Sequence, residues 1–370
     1  MTDRQSSAKE YARQRRYLAI AMLIVGTVYL VMMILRGSAG LKNCASALAD
    51  TRWIVVMLYV LGFVLLYEIV TLPLSYYGGF YIEYRYNLSS QSLRSWAWRE
   101  LKRLLLSLVL LVPIVEVIYF FLARFPERWW LLASGVWILF TVLLTRVAPV
   151  LILPLFYRQD PVKNESLEQL LQGLAAGTGL GIREVFRLNM SKETKKANAA
   201  LAGLGRTRRV LLSDTLLDGF SDSEIGIVFA HELGHHVFHH ITKAIVVSSV
   251  AALVGFALAH QVMLALVGPL GFEGVGDIAA FPLLCLVLSA FGLLILPIQN
   301  AYSRKLERDC DAYALKRTGQ PQAFIAAMER LGSLNLADRN PSRFVEILFH
   351  DHPPIGKRIA MAEAMLKRDG

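Results

Sequence analysis

Cysteine is scarce in this chain: three residues in 370, Cys44, Cys285 and Cys310, with no Cys-x-x-Cys pair. A disulfide framework and a cysteine-built metal centre are excluded on that ground. Charge is scarce as well. Charged residues make up 18% against 55% hydrophobic, too apolar for an ordinary soluble domain. Internal repeats and low-complexity tracts are absent, which sets aside solenoid and linker-like architectures. No cleavable signal is evident, because the first apolar run is already of spanning length and has no small-residue cleavage site.

Long apolar runs are what the chain has in place of charge. They cover 17–35, 53–75, 104–123, 129–157, 245–267 and 279–299, each close to the roughly 20 residues a membrane-crossing helix requires. The reading is a mainly α multi-pass membrane protein with about six transmembrane helices. Lys9, Arg13, Arg15 and Arg16 precede the first run, which puts the N-terminus in the cytoplasm by the positive-inside rule. Threading six spans from there places Arg85, Arg94, Arg99, Lys102 and Arg103 on the same side, with the stretch from Arg158 to Lys243 and the C-terminal tail. The net charge of +10 is then cytoplasmic loop charge facing anionic lipid. No recognition motif supports nucleic acid as a partner.

The chain divides into an N-terminal membrane part (1–157), a polar segment (158–244), a two-span hairpin (245–300) and a soluble tail (301–370). Two short alternating stretches, EVFRLNM and RRVLLSD, read as strands, and 166–175 reads as a helix. Ser221, three residues before Glu224, reads as a capping box opening a helix that carries all of HELGHHVFHH (231–240).

That decapeptide holds five of the eight histidines. Residues four apart share a helix face, so His231 with His235, His235 with His239 and His236 with His240 are all possible chelating pairs. Only His231 is followed by an acid, Glu232. The resulting His-Glu-x-x-His places two zinc-binding imidazoles beside a carboxylate able to deprotonate a water. His236, His239 and His240 are read as bystanders on a helix flank, and His260, within a span, as a packed or cavity-lining residue. A catalytic zinc takes three protein ligands. From spacing alone the third is His350, His352 or a carboxylate of SRKLERDCD (303–311), where Glu307 and Asp311 lie four apart, so that one can bind metal while the other orients a ligand; an ordinary charged helix with Arg304, Lys305 and Arg308 as partners fits the spacing equally well.

Four blocks in this order, NAALAG (198–203), HELGHH (231–236), SRKLERDCD (303–311) and HPPIGKRI (352–359), resemble the integral-membrane gluzincin metallopeptidases. These include the type I CAAX prenyl proteases and the HtpX-like proteases. Four spans before the site resemble the CAAX prenyl protease branch, as does GGFYIEYRYNLSSQS (78–92). The resemblance implies a small α+β zincin-like domain on the cytoplasmic side and an intramembrane chamber, which Glu68, Glu116 and Arg146 would line if they are not paired structural charges. It implies one zinc per chain, held by His231, His235 and Glu307, with Glu232 as general base and Asp311 behind the ligands. It also implies that Asn198 and Ala199 bind substrate as a strand edge, and that His352 and Arg358 stabilise an oxyanion. Cys310 and Asp351 depart from the family pattern.

The expected activity is endopeptidase cleavage of membrane-associated or C-terminally lipidated proteins. An HtpX-like quality-control protease and a non-catalytic zinc-binding scaffold or transporter stand as alternatives. The expected location is the cell membrane, the inner one if the source is bacterial, with the site facing the cytoplasm.

Overall fold

The computed structural model of the chain describes residues 2–180, 185–202 and 209–369. Glu184, Gly203 and Arg208, which belong to the stretches singled out above, lie outside the described residues.

Among the described residues, six helices are long and apolar enough to cross a membrane: α1 (Arg4–Leu48), α2 (Arg52–Arg85), α3 (Leu93–Arg124), α4 (Trp129–Phe156), α8 (His240–Leu266) and α9 (Ile278–Thr318). Four contain an apolar run and extend beyond it at both ends, while α4 and α8 each end one residue short of the end of theirs. A helix satisfies its backbone groups within itself, which is what a bilayer interior demands. Large apolar side chains such as Ile69, Val109, Leu139, Leu294 and Ile298 point outward and are exposed, as a surface solvated by lipid tails requires. Inward, Tyr59, Tyr119, Trp129, Phe256 and Phe281 build a shared core. His260 is packed there, its Nδ1 accepting from Trp129 Nε1 at 3.0 Å. Glu116 lines a cavity of about 250 Å³ with Arg52 and Arg124.

Between α4 and α8 the chain forms a four-stranded sheet in the order β1-β2-β4-β3, with β1 Gln159–Pro161, β2 Val185–Leu188, β3 Ala199–Ala202 and β4 Arg209–Ser213. β2 and β4 are parallel and the outer pairs antiparallel, so β3 is an edge. Three helices belong to this layer: α5 (Glu165–Ala175), α6 (Asp214–Gly219) and α7 (Asp222–Val237). Leu167, Leu171, Val210, Leu212, Leu216, Ile225, Phe229 and Leu233 close a core between sheet and helices. The tail adds α10 (Pro321–Leu334), α11 (Arg343–Phe349) and α12 (Ile355–Asp369).

The start of α1 reaches this same side. Tyr11 donates to Glu83 Oε1 at 2.6 Å, and Lys196, two residues before Asn198, binds Glu83 Oε2 at 2.8 Å. Arg4 caps the Ser333 carbonyl. At the opposite end Lys42 pairs with Glu273 and Asp277 at 2.9 and 3.0 Å. The N-terminus, the sheet layer and the tail therefore share one face of the bundle, as six spans require.

One expectation is corrected. The histidine-rich segment is not a single helix. α7 ends at Val237, His239 adopts a left-handed backbone with φ 55°, and α8 starts at His240.

Candidate metal centre

Ser221 opens α7 with both halves of a capping box in place: its side chain accepts from the Glu224 backbone, and Glu224 reaches back to the Ser221 backbone. This fixes where the helix begins, and so which face the later residues present. Of the eleven residues 224–234, ten are buried and Glu232 is half-buried. His231 and His235, one turn apart, face α9, the helix of the last span extended past the membrane into the tail.

The close approach of the two helices has a local cause. A Cβ on Gly234 would lie 3.1 Å from Cys310 Cα and 3.2 Å from its Sγ, so any larger residue would press α7 and α9 apart. Gly234→Ala is expected to cost about 1–3 kcal/mol as overpacking and to weaken metal binding by pushing the ligand faces apart. Thermal melts and a chelator competition check both effects. An alanine variant with unchanged metal affinity removes the spacer role.

Across this contact His231 Nε2 lies 3.1 Å from Glu307 Oε2, and His235 Nε2 lies 3.3 Å from Glu307 Oε1. All three side chains offer donor atoms within 4.8 Å of one another. Two imidazoles and one carboxylate are a donor set suited to zinc. Glu307 Oε2 is buried and without a hydrogen-bond partner despite its nearness to His231. Such an orphaned oxygen is costly unless something cationic engages it, so the residues fit a bound metal ion.

Each imidazole is also held from behind. Asp311, fully buried, takes His231 Nδ1 at 2.8 Å. Arg358 donates to both Asp311 oxygens, Nε at 2.8 Å and Nη2 at 2.5 Å. Burial works against a charge on His231, but the carboxylates of Asp311 and Glu307 on either side of the ring outweigh that and raise its pKa to about 9. The pocket thus favours positive charge at its centre. On Arg358 burial also opposes the charge, and Asp311 more than offsets it. Two Arg358 nitrogens, Nε and Nη2, are thus engaged by Asp311, and the Arg358 side chain is 11% exposed.

His352 is more exposed. Its Nε2 lies 3.4 Å from Glu307 Oε1 and its Nδ1 2.8 Å from Asp351. The bond to Asp351 outweighs partial burial and raises the His352 pKa above the ordinary histidine range. Asp351, read from sequence only as a departure, is thus the group that orients His352. Asn198 stands immediately before β3, exchanging backbone bonds with Ser213 (its N–H to Oγ, its carbonyl from the Ser213 N–H, both 2.9 Å). Ala199 begins the edge strand.

Sequence comparison reaches the whole chain. A family described as "CAAX prenyl protease N-terminal, five membrane helices" matches residues 2–158, and "Peptidase family M48" matches 161–366. The chain belongs to peptidase family M48. Four candidate spans occupy 2–158 among the described residues, where the matched family is described with five. An uncharacterized metalloprotease of Bacillus subtilis, YhfN, is 30% identical over 96% of this chain and 84% of its own length. CAAX prenyl protease 1 of Saccharomyces cerevisiae is 27% identical over 79% and 68%. In fold, the crystal structure of S. mikatae Ste24p superposes with a TM-score of 0.86 at 24% identity, covering 97% of this chain and 88% of that one. The protein is a multi-pass membrane member of a metallopeptidase family, and membership implies a metal and peptide or protein substrates.

Proposed function

We propose that the protein is a zinc-dependent membrane endopeptidase, holding one zinc per chain with His231, His235 and Glu307. The observation that carries this reading is that one carboxylate, on the far side of two membrane spans in sequence, presents its two oxygens to the Nε2 atoms of both motif histidines at 3.1 and 3.3 Å. Zinc at that point supplies Lewis acidity toward a scissile carbonyl and toward water.

The remaining work belongs to the chain's own residues. Glu232, next to His231 on α7, takes the proton of the attacking water and delivers it to the departing amine. Asp311, itself held by Arg358, keeps the His231 proton on Nδ1 so that Nε2 is free as a ligand. An extended peptide pairs with the β3 edge at Asn198 and Ala199, aligning its backbone with the site. His352, steadied by Asp351, donates to the oxygen that gains charge in the transition state.

The substrates we infer are membrane-associated or C-terminally lipidated proteins, cut on the cytoplasmic face of the cell membrane. The apolar bundle lies against the site, and the basic N-terminus stands on the site's side.

Purified protein should contain one zinc and cleave a peptide. A farnesylated peptide ending in Cys-aliphatic-aliphatic-X should be cut with at least tenfold higher kcat/KM than the same peptide unmodified. Equal cleavage of the two removes the lipid-specific part of the reading, and absence of zinc and of cleavage removes all of it.

A further inference from the structure

The bundle of contacts behind the two motif histidines is asymmetric. His231 Nδ1 has the Asp311–Arg358 pair behind it. His235 Nδ1 faces a residue that the sequence reading set aside: His240 Nδ1, at 3.1 Å. On a continuous helix a residue five positions on would point about 140° away from His235, so this contact needs the helix to break. The left-handed turn at His239, φ 55°, supplies the break. It starts α8 on a new axis and returns His240 to the back of His235. His240 is 4% exposed, its ring is stacked on Phe238 at 5.6 Å and 28°, and Cys310 Sγ lies 3.5 Å from the same Nδ1.

We propose that His240 is the positioning residue for His235. Its Nδ1 accepts the His235 Nδ1 proton, fixes that tautomer and ring orientation, and so leaves the His235 Nε2 lone pair directed at the site shared with Glu307. A neutral imidazole carries one ring proton, and a ligand nitrogen must be the bare one. His235 can therefore serve at Nε2 only with its proton on Nδ1, where the acceptor it meets is His240. The arrangement has a cost that stability alone does not explain. With Nδ1 accepting, the His240 proton sits on Nε2, which is buried and partnerless among the described residues. His235, His240 and Cys310 also offer donor atoms within 4.8 Å of one another, the two Nδ1 atoms 3.1 Å apart. A second ion there, alongside one at Nε2, needs a His235 stripped of both ring protons, so the hydrogen-bonded arrangement is preferred.

The inference rests on the zinc reading above, and its test separates the two. His240→Phe keeps the ring and its stacking while removing the acceptor. His240→Asn sets an amide oxygen near the position of Nδ1. Zinc affinity is measured on the full-length protein in detergent by competition with a chromogenic chelator, with zinc stoichiometry and melting of the metal-free protein in parallel. Wild type is expected to bind one zinc. His240→Phe is expected to bind it about 10–100-fold more weakly, the usual effect of losing a group that orients a ligand, with metal-free melting unchanged. His240→Asn is expected to stay within about threefold of wild type, short of that range.

Wild-type affinity in His240→Phe overturns the inference while leaving the zinc reading intact. So does an Asn variant as weak as Phe, or two zincs in wild type with one lost on His240→Asn. A wild type that binds no zinc removes the zinc reading and this inference with it. If His240→Phe does not fold, His240→Leu is read in its place by the same criteria.

Discussion

A Glu232→Gln protein is expected to retain one zinc and a wild-type melting temperature while cleaving peptide roughly 10²–10⁴-fold more slowly, the span ascribed to a positioned general base. Glutamine matches glutamate in shape but takes no proton at neutral pH. The side chain is half-buried on α7, and its oxygens are not in the donor set of His231, His235 and Glu307, so neither fold nor metal depends on its charge. The loss should fall on kcat, since a proton acceptor acts in the transition state more than in binding. Metal analysis, melting and steady-state kinetics on the same preparation separate these effects. A variant that holds zinc and turns over at the wild-type rate sinks the mechanism and favours a zinc-binding scaffold.

The spans, the two inner strands and the capping box were legible because each is written in local periodicity. Apolar runs of spanning length, alternation over EVFRLNM and RRVLLSD, and Ser221 spaced three from Glu224 are all short-range signals. His231, His235 and Glu232 were legible for the same reason, as one turn of helix. The partner across the membrane hairpin was not. Spacing alone does not say whether either Glu307 or Asp311 binds a metal, and only the resemblance to the family assigns Glu307. Distances now separate the pair, since Glu307 faces both Nε2 atoms and Asp311 faces the back of His231.

The contact of His240 with His235 is not legible in the sequence, because a continuous helix over 231–240 would point the two apart. The break rests on one left-handed residue, His239, and no glycine or asparagine marks it in the sequence. Gly234 carried a signal that could have been used: a small residue inside a buried, otherwise bulky helix face often marks a close helix approach, here against Cys310. The β1 strand, only Gln159–Pro161, was too short and too irregular to show alternation.

Glu307→Gln is expected to weaken zinc binding more than about 100-fold, beyond the 10–100-fold attributed to groups that merely orient a ligand, and to abolish detectable cleavage. The ordering follows from position. Asp311 and His240 touch the backs of His231 and His235, whereas Glu307 stands between the two imidazoles with a buried oxygen that nothing else in the described structure satisfies. A second consequence distinguishes a ligand from an ion-pair partner. An ion bound only by the folded protein stabilises it by about 2.7 kcal/mol at a hundred times its dissociation constant, so chelator should lower the melting temperature of wild type and leave Glu307→Gln unmoved. If Glu307 served only to pair with a charged His231, the variant would still respond to chelator as wild type does. One zinc per chain at wild-type affinity in Glu307→Gln would take this residue out of the ligand set. His352, 3.4 Å from the same carboxylate, then becomes the third ligand to test, and its Asp351 bond the contact that presents it.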